Sequence, residues 1–124
     1  MRRSLTLIPL LVLALLSCTP KEEGKAEIRV AWVSEPTPPA LAPTLFRITL
    51  TDAQGVPVEV PTIALEANMA HPGMVPVLAE ATSVGNGQYE ARLTPTMAGS
   101  WIMFLKIPLP SGTVAKEFTF EVNR

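Results

Sequence analysis

From Ala26 onward, apolar and polar side chains alternate with a period of two, and that period decides which class of fold the chain can enter. A residue type that returns every second position lines one face of a strand, whereas a helix needs a return near 3.6. Ile28, Val30 and Trp32 share a face with Arg29 opposite. Phe46, Ile48 and Leu50 alternate with Arg47, Thr49 and Thr51, and Ile63, Leu65 and Ala67 with Ala64, Glu66 and Asn68. Tyr89, Ala91 and Leu93 alternate with Gln88, Glu90 and Arg92. Phe118, Phe120 and Val122 do so with Glu117, Thr119 and Glu121. No stretch here carries a convincing helical period.

Two further strands complete the set. Trp101 to Ile107 is apolar on both parities apart from Lys106, which predicts a central strand covered on both faces. A weaker strand is expected over Val75–Val84. Turn chemistry separates the runs: Asp52-Ala53-Gln54-Gly55, Gly85-Asn86-Gly87 and Pro110-Ser111-Gly112 each supply residues that tolerate a sharp reversal. About seven short strands in one small domain predict an all-β fold, an immunoglobulin-like antiparallel β-sandwich. Tyr89, two residues after Gly87 and two before inward-facing Ala91, stands where such sandwiches place a tyrosine corner.

The first eighteen residues follow a different rule. Arg2 and Arg3 precede an apolar run from Leu5 to Leu16, which ends in Leu15-Leu16-Ser17-Cys18. A dozen apolar residues are too few for the roughly 20 of a membrane-spanning helix, but they suit a secretory signal peptide over residues 1–17. The Leu-x-Ser-Cys ending resembles a bacterial lipobox. It implies that Cys18, the single cysteine, carries a lipid and begins the mature chain. The expected location is therefore extracytoplasmic and membrane-anchored. Thr19, rather than Asp, after the cysteine implies the outer membrane facing the periplasm if the cell has two membranes.

Residues 18–25 read as the lipidated cysteine and a short polar tether, and residues 26–124 as the domain. Removing residues 1–17 takes two of ten basic residues and none of eleven acidic ones, leaving about −3. No basic patch remains, so nucleic acid is not an expected partner. Nor is the chain expected to be an enzyme. It has one histidine, no mature thiol outside the anchor, no Gly-x-Ser-x-Gly element and no phosphate-cradling glycine loop. The carboxylates of Glu22 and Glu23 fall in the tether, where nothing holds them in a fixed geometry.

If successive strands run antiparallel, alternate loops share an end. The turns at 52–56, 85–87 and 110–112 then join the tether at one end. The loops Ser34–Pro43, Ala70–Pro76 and Pro95–Ser100 meet at the other. This second end receives Asn68-Met69-Ala70-His71-Pro72-Gly73-Met74 and, from the neighbouring loop, Met97. Thioethers are soft, neutral donors that favour Cu(I), and they cannot be lost to disulfides. A neutral His71 ring would add a stronger donor, so affinity should fall in mild acid. Met69, His71, Met74 and Met97 are thus candidate copper ligands. Met69 also continues the inward face of Ile63, Leu65 and Ala67, so a core plug is an equal reading. Met103 shares the parity of Trp101 and Leu105 and reads as core.

From Phe46 to Val122 the chain resembles the YtkA-like domain family, whose pattern overlaps that of FixH-type proteins. The matching elements are Thr51-Asp52-Ala53-Gln54-Gly55-Val56-Pro57-Val58, the run Asn68 to Met74, Gly85-Asn86-Gly87-Gln88-Tyr89, and Met97-Ala98-Gly99-Ser100-Trp101. The resemblance implies an immunoglobulin-like fold, extracytoplasmic placement and an association with copper and terminal-oxidase maturation. It carries the methionine-rich loop onto Met69, His71 and Met74, and the methionine before Gly-x-Trp onto Met97. The expected function is a lipid-anchored copper-binding accessory protein, working with a copper-donating or copper-receiving partner. The alternative is an interaction or scaffold module of a cell-envelope complex without metal. In that alternative the pre-extended Glu35-Pro36-Thr37-Pro38-Pro39 run docks a partner; as a purely structural element it is a rigid crossover between strands.

Overall fold

The computed structural model describes residues 27–71 and 73–124. The expected signal peptide, Cys18 and the expected tether lie outside the described residues, as does Pro72. Seven strands follow one another: β1 (Arg29–Glu35), β2 (Thr44–Thr51), β3 (Thr62–Met69), β4 (Val77–Gly85), β5 (Gln88–Leu93), β6 (Gly99–Leu109) and β7 (Gly112–Val122). All pair antiparallel with their neighbours, in the order β1-β2-β5-β4-β3-β6-β7.

The fold is all-β, as the period of two requires, and its two layers belong to one continuous sheet. Strand β4 makes the join. Residues Val77 to Thr82 pair with β3, and Thr82 to Gly85 pair with β5 across a register shift. A strand that bends at a bulge can leave one layer and enter the other. The layers β1-β2-β5 and β3-β6-β7 then face each other across a core of inward side chains. Phe46, Ile48 and Leu50 come from β2, Ile63 and Leu65 from β3, and Trp101, Met103, Leu105 and Ile107 from β6. Each follows the parity expected of it, Met103 included.

The connections explain the strand order. Asp52 Oδ1 accepts the N–H groups of Gln54 and Val56, both at 2.9 Å, which folds the chain back after β2. Asn86 and Gly87 both hold positive φ, 55° and 69°, the signature of a type I′ hairpin turn whose twist matches the flanking strands. Gly87 has a second reason to be glycine: a Cβ there would lie 2.7 Å from the Leu50 carbonyl oxygen and 2.9 Å from Pro57 Cβ. The proline-rich segment between β1 and β2 is tied by its own hydroxyls. Ser34 Oγ donates to the Pro36 carbonyl and Thr44 Oγ1 to that of Ala42, both at 2.9 Å, and Thr37 Oγ1 donates to the Ser34 carbonyl. The segment also meets the end of the last strand, where the Asn123 N–H donates to the Pro39 carbonyl at 3.1 Å.

Two expectations change. The Tyr89 hydroxyl does anchor the backbone, but it reaches the β2–β3 connection rather than residues just upstream, as a tyrosine corner would. It donates to the Val58 carbonyl at 2.8 Å and accepts from the Val60 N–H at 2.7 Å. The cause is the pairing of β5 with β2, which lays Tyr89 opposite Ile48 and directs its ring along the core toward the chain leaving β2. Strand β6 has a paired strand on each side, β3 and β7, but is covered on one face only. Phe104 and Lys106 point outward and are exposed, because no second layer lies outside β3-β6-β7.

Burial pushes the Tyr89 phenol above its ordinary value near 10, the Glu59 charge adding to the rise and the hydrogen bond from Val60 opposing it. Folding therefore holds the proton that the unfolded chain releases. Stability is intact below about pH 10 and falls as pH rises above it. Tyr89→Phe leaves a buried N–H and a carbonyl without their partner, so urea unfolding should show a loss of about 2 kcal/mol. The part of the alkaline loss that belongs to this phenol should vanish with it.

Candidate functional site

The antiparallel order brings three connections to one end of the sandwich: 36–43, 70–76 and 94–98. None of these segments contains Asp, Glu, Lys or Arg. Their only ionisable side chain is His71. Leu41, Val75 and Met97 are exposed here, three large apolar groups on loops without formal charge of their own. At the opposite end lie Asp52 and Glu59, each committed to a turn by hydrogen bonds to backbone N–H groups.

Strands β3 and β6 are hydrogen-bonded neighbours, and they position the candidate ligands. Met69 closes β3 opposite Trp101. It is 8% exposed and belongs to the core cluster. A Cβ on Gly99 would sit 3.2 Å from Met69 Cε, so the absence of a side chain at Gly99 makes room for this thioether. Two residues on, His71 is fully at the surface. Met74 is half-buried and returns to pack against the core. Met97, on the β5–β6 connection, is 47% exposed. Its carbonyl accepts the Trp101 Nε1–H at 2.9 Å, which fixes that connection over the indole.

The structure thus places all four candidates at one end, at three depths. Met69 lies in the core, Met74 at its margin, and His71 and Met97 at the surface. Met69 and Met97 both meet the Gly99–Trp101 stretch, Met69 by its methyl and Met97 by its backbone. His71 and Met74 ride on the connection leaving Met69. Among the described residues, no group of three His, Cys, Asp or Glu side chains stands close enough to hold a metal ion. A hard cation that needs several carboxylates has no such set there; a soft cation that accepts neutral sulfur and nitrogen has donors at this end. Cys18, the expected lipid attachment point, lies outside the described residues.

The YtkA-like family matches residues 22–106. The chain belongs to the YtkA-like family. The match begins before β1 and ends inside β6, at Lys106. It contains all four motif elements read from the sequence, although that reading began at Phe46 and ran on to Val122. Comparison with curated proteins and with solved structures gave no significant match to either. In this YtkA-like domain the motif around Met97-Ala98-Gly99-Ser100-Trp101 has a physical basis: Gly99 admits the Met69 methyl, and Trp101 is held by Met97.

Sequence reasoning missed the uncharged character of this end of the YtkA-like domain. It needed only the three loop segments side by side and a count of their charged residues. The depth of each methionine was legible in part, since strand parity marks Met69 but says nothing about loop residues. Met69→Ala is expected to cost about 2–4 kcal/mol in chemical unfolding, because it empties a buried volume that the strands cannot close. Met97→Ala should stay within about 0.5 kcal/mol of the parent.

Proposed function

We propose that this YtkA-like domain is an extracytoplasmic, lipid-anchored copper-binding accessory protein that holds Cu(I) and passes it to or from a partner protein. The reading is supported above all by the donor set: one imidazole and three thioethers converge on an end with no charged loop residue. Neutral soft donors bind a monovalent soft ion without adding formal charge. The absence of loop carboxylates also gives competing Ca²⁺ or Mg²⁺ little to bind. His71 and Met97 are accessible, and Met74 lies between surface and core, so these three would bind first and Met69 would be the innermost donor. A copper bound here would supply no bond-making chemistry of its own in this role; it is cargo, and the role is not catalytic.

The reading is tested with a chain starting at Thr19, titrated anaerobically with Cu(I) against a chromophoric chelator. One equivalent should bind. His71→Ala combined with Met74→Ala should weaken binding by at least about 100-fold, since two of four donors are gone. Binding as tight as the parent would refute this ligand assignment.

The anchor has a separate test. In the proposed envelope location, full-length protein should fractionate with membranes, and Cys18→Ser should release it, because the lipid is the attachment. Membrane association unchanged by Cys18→Ser would remove the lipoprotein reading and leave copper binding unaffected.

A further inference from the structure

The two outer faces of the sandwich differ in how they handle charge. On the β1-β2-β5 side, charges are paired: Arg47 lies 3.0 Å from Glu90 and 3.6 Å from Glu35, and Arg29 lies 3.7 Å from Glu27. These are the only ion pairs among the described residues, and all belong to that side. On the other side, the registers of β4, β3, β6 and β7 line up two rows. One runs Leu78, Glu66, Phe104, Glu117; the next runs Glu80, Ala64, Lys106, Ala115. Three carboxylates and one ammonium stand in these two rows, and none of them has an ion-pair partner among the described residues.

The same face is apolar at its centre. Leu78 is 71% exposed and Phe104 37%, on strands where alternation should put polar groups outward. Beside them, in the next row, Ala64 is too short to fill the space. Two adjoining hollows result, of about 270 and 370 Å³, both bordered by Ala64 and Leu78. One of them extends to Phe104, Lys106 and Glu66, and the other to Glu80. An exposed leucine and phenylalanine flanking a hollow, with Glu66, Glu80 and Lys106 on its border, is the form of an anchor pocket with a polar rim.

We propose that this face docks a segment of a partner protein that inserts one apolar side chain over Ala64, beside Leu78 and Phe104, and sets lysine or arginine residues against Glu66, Glu80 and Glu117. Charge chooses this occupant. A second copy laid face to face would double the excess of carboxylates over the Lys106 ammonium, and an anionic lipid surface would be repelled by the same excess. A basic flank supplies the missing counter-ions, and the apolar insert removes Leu78 and Phe104 from water. The surface is formed by strands rather than by the methionine-bearing loops, so it stands whether or not that end binds copper.

The test selects binders to the full-length, metal-free chain from a random displayed heptapeptide library and measures selected peptides by fluorescence anisotropy. The expected consensus is an aliphatic or aromatic residue flanked by Lys or Arg. Leu78→Ser with Phe104→Ser should weaken those peptides about tenfold or more. Glu66→Gln, Glu80→Gln and Glu117→Gln together should weaken them and flatten the dependence on salt. Both variants change exposed or half-exposed side chains, and their melting temperatures should stay close to that of the parent. Four results would overturn the proposal: no consensus, a consensus without basic residues, peptide affinity unchanged by either variant, or binding to anionic vesicles that Leu78→Ser with Phe104→Ser abolishes. A dimer in sedimentation that dissociates in that double variant would also overturn it, by giving the face to a second copy.

Discussion

The sandwich depends on an aromatic seam between its first and last strands. Trp32 of β1 stacks on Phe118 of β7 with ring centroids 4.6 Å apart. Phe46 meets Phe120 edge to face at 5.1 Å, and Phe120 lies parallel to Trp101 at 6.2 Å. No cysteine occurs after Cys18, so no disulfide pins the layers together. Apolar burial and these ring contacts, each aromatic pair worth about 0.5–1.5 kcal/mol beyond its area, draw the two ends of one curled sheet into a closed core. Edge strands β1 and β7 are thereby linked across the core through their side chains, with no backbone ladder between them.

Closure of that seam organises everything at the methionine end. With β1 and β7 apposed, the proline-rich connection is drawn against Asn123, and the three uncharged connections come together above a common core. Trp101 is the pivot. It is stacked in the seam, paired opposite Met69 and held through its indole by the Met97 carbonyl. One side chain therefore ties the hydrophobic closure of the domain to the placement of two thioethers. A substitution at Trp101 would loosen the core and the candidate site together, which makes it a poor probe of either alone.

Most of the architecture was legible because a period of two leaves little freedom. The five alternating runs became β1, β2, β3, β5 and β7, with inward residues Phe46, Ile48, Ile63, Tyr89 and Phe120 on the expected parity. The hairpin turns were readable from glycine and asparagine, since few other residues accept positive φ. Tertiary facts were less legible. That β4 joins both layers depends on a register shift near Ser83, which no local pattern announces. The double-sided apolar run of β6 suggested cover on both faces, yet a run of apolar residues cannot say whether a neighbour exists to cover it. For the candidate site, residue types and shared end followed from chain order alone. Depth did not, because the exposure of a loop methionine is set by what it meets: Gly99 makes room for Met69, and nothing buries Met97.

The bond between Asn123 and Pro39 fixes where the polypeptide emerges. Ile28 and Arg29 enter at the end bearing the Asp52 turn, and Asn123 leaves at the end bearing His71 and Met97. A purification handle joined after Arg124 would hang beside the methionine loops, and one made of histidines would bring its own imidazoles to loops whose single native imidazole is His71. On a chain starting at Thr19, handles and reporters belong at that first residue, where the breadth of the sandwich keeps them apart from the methionine loops.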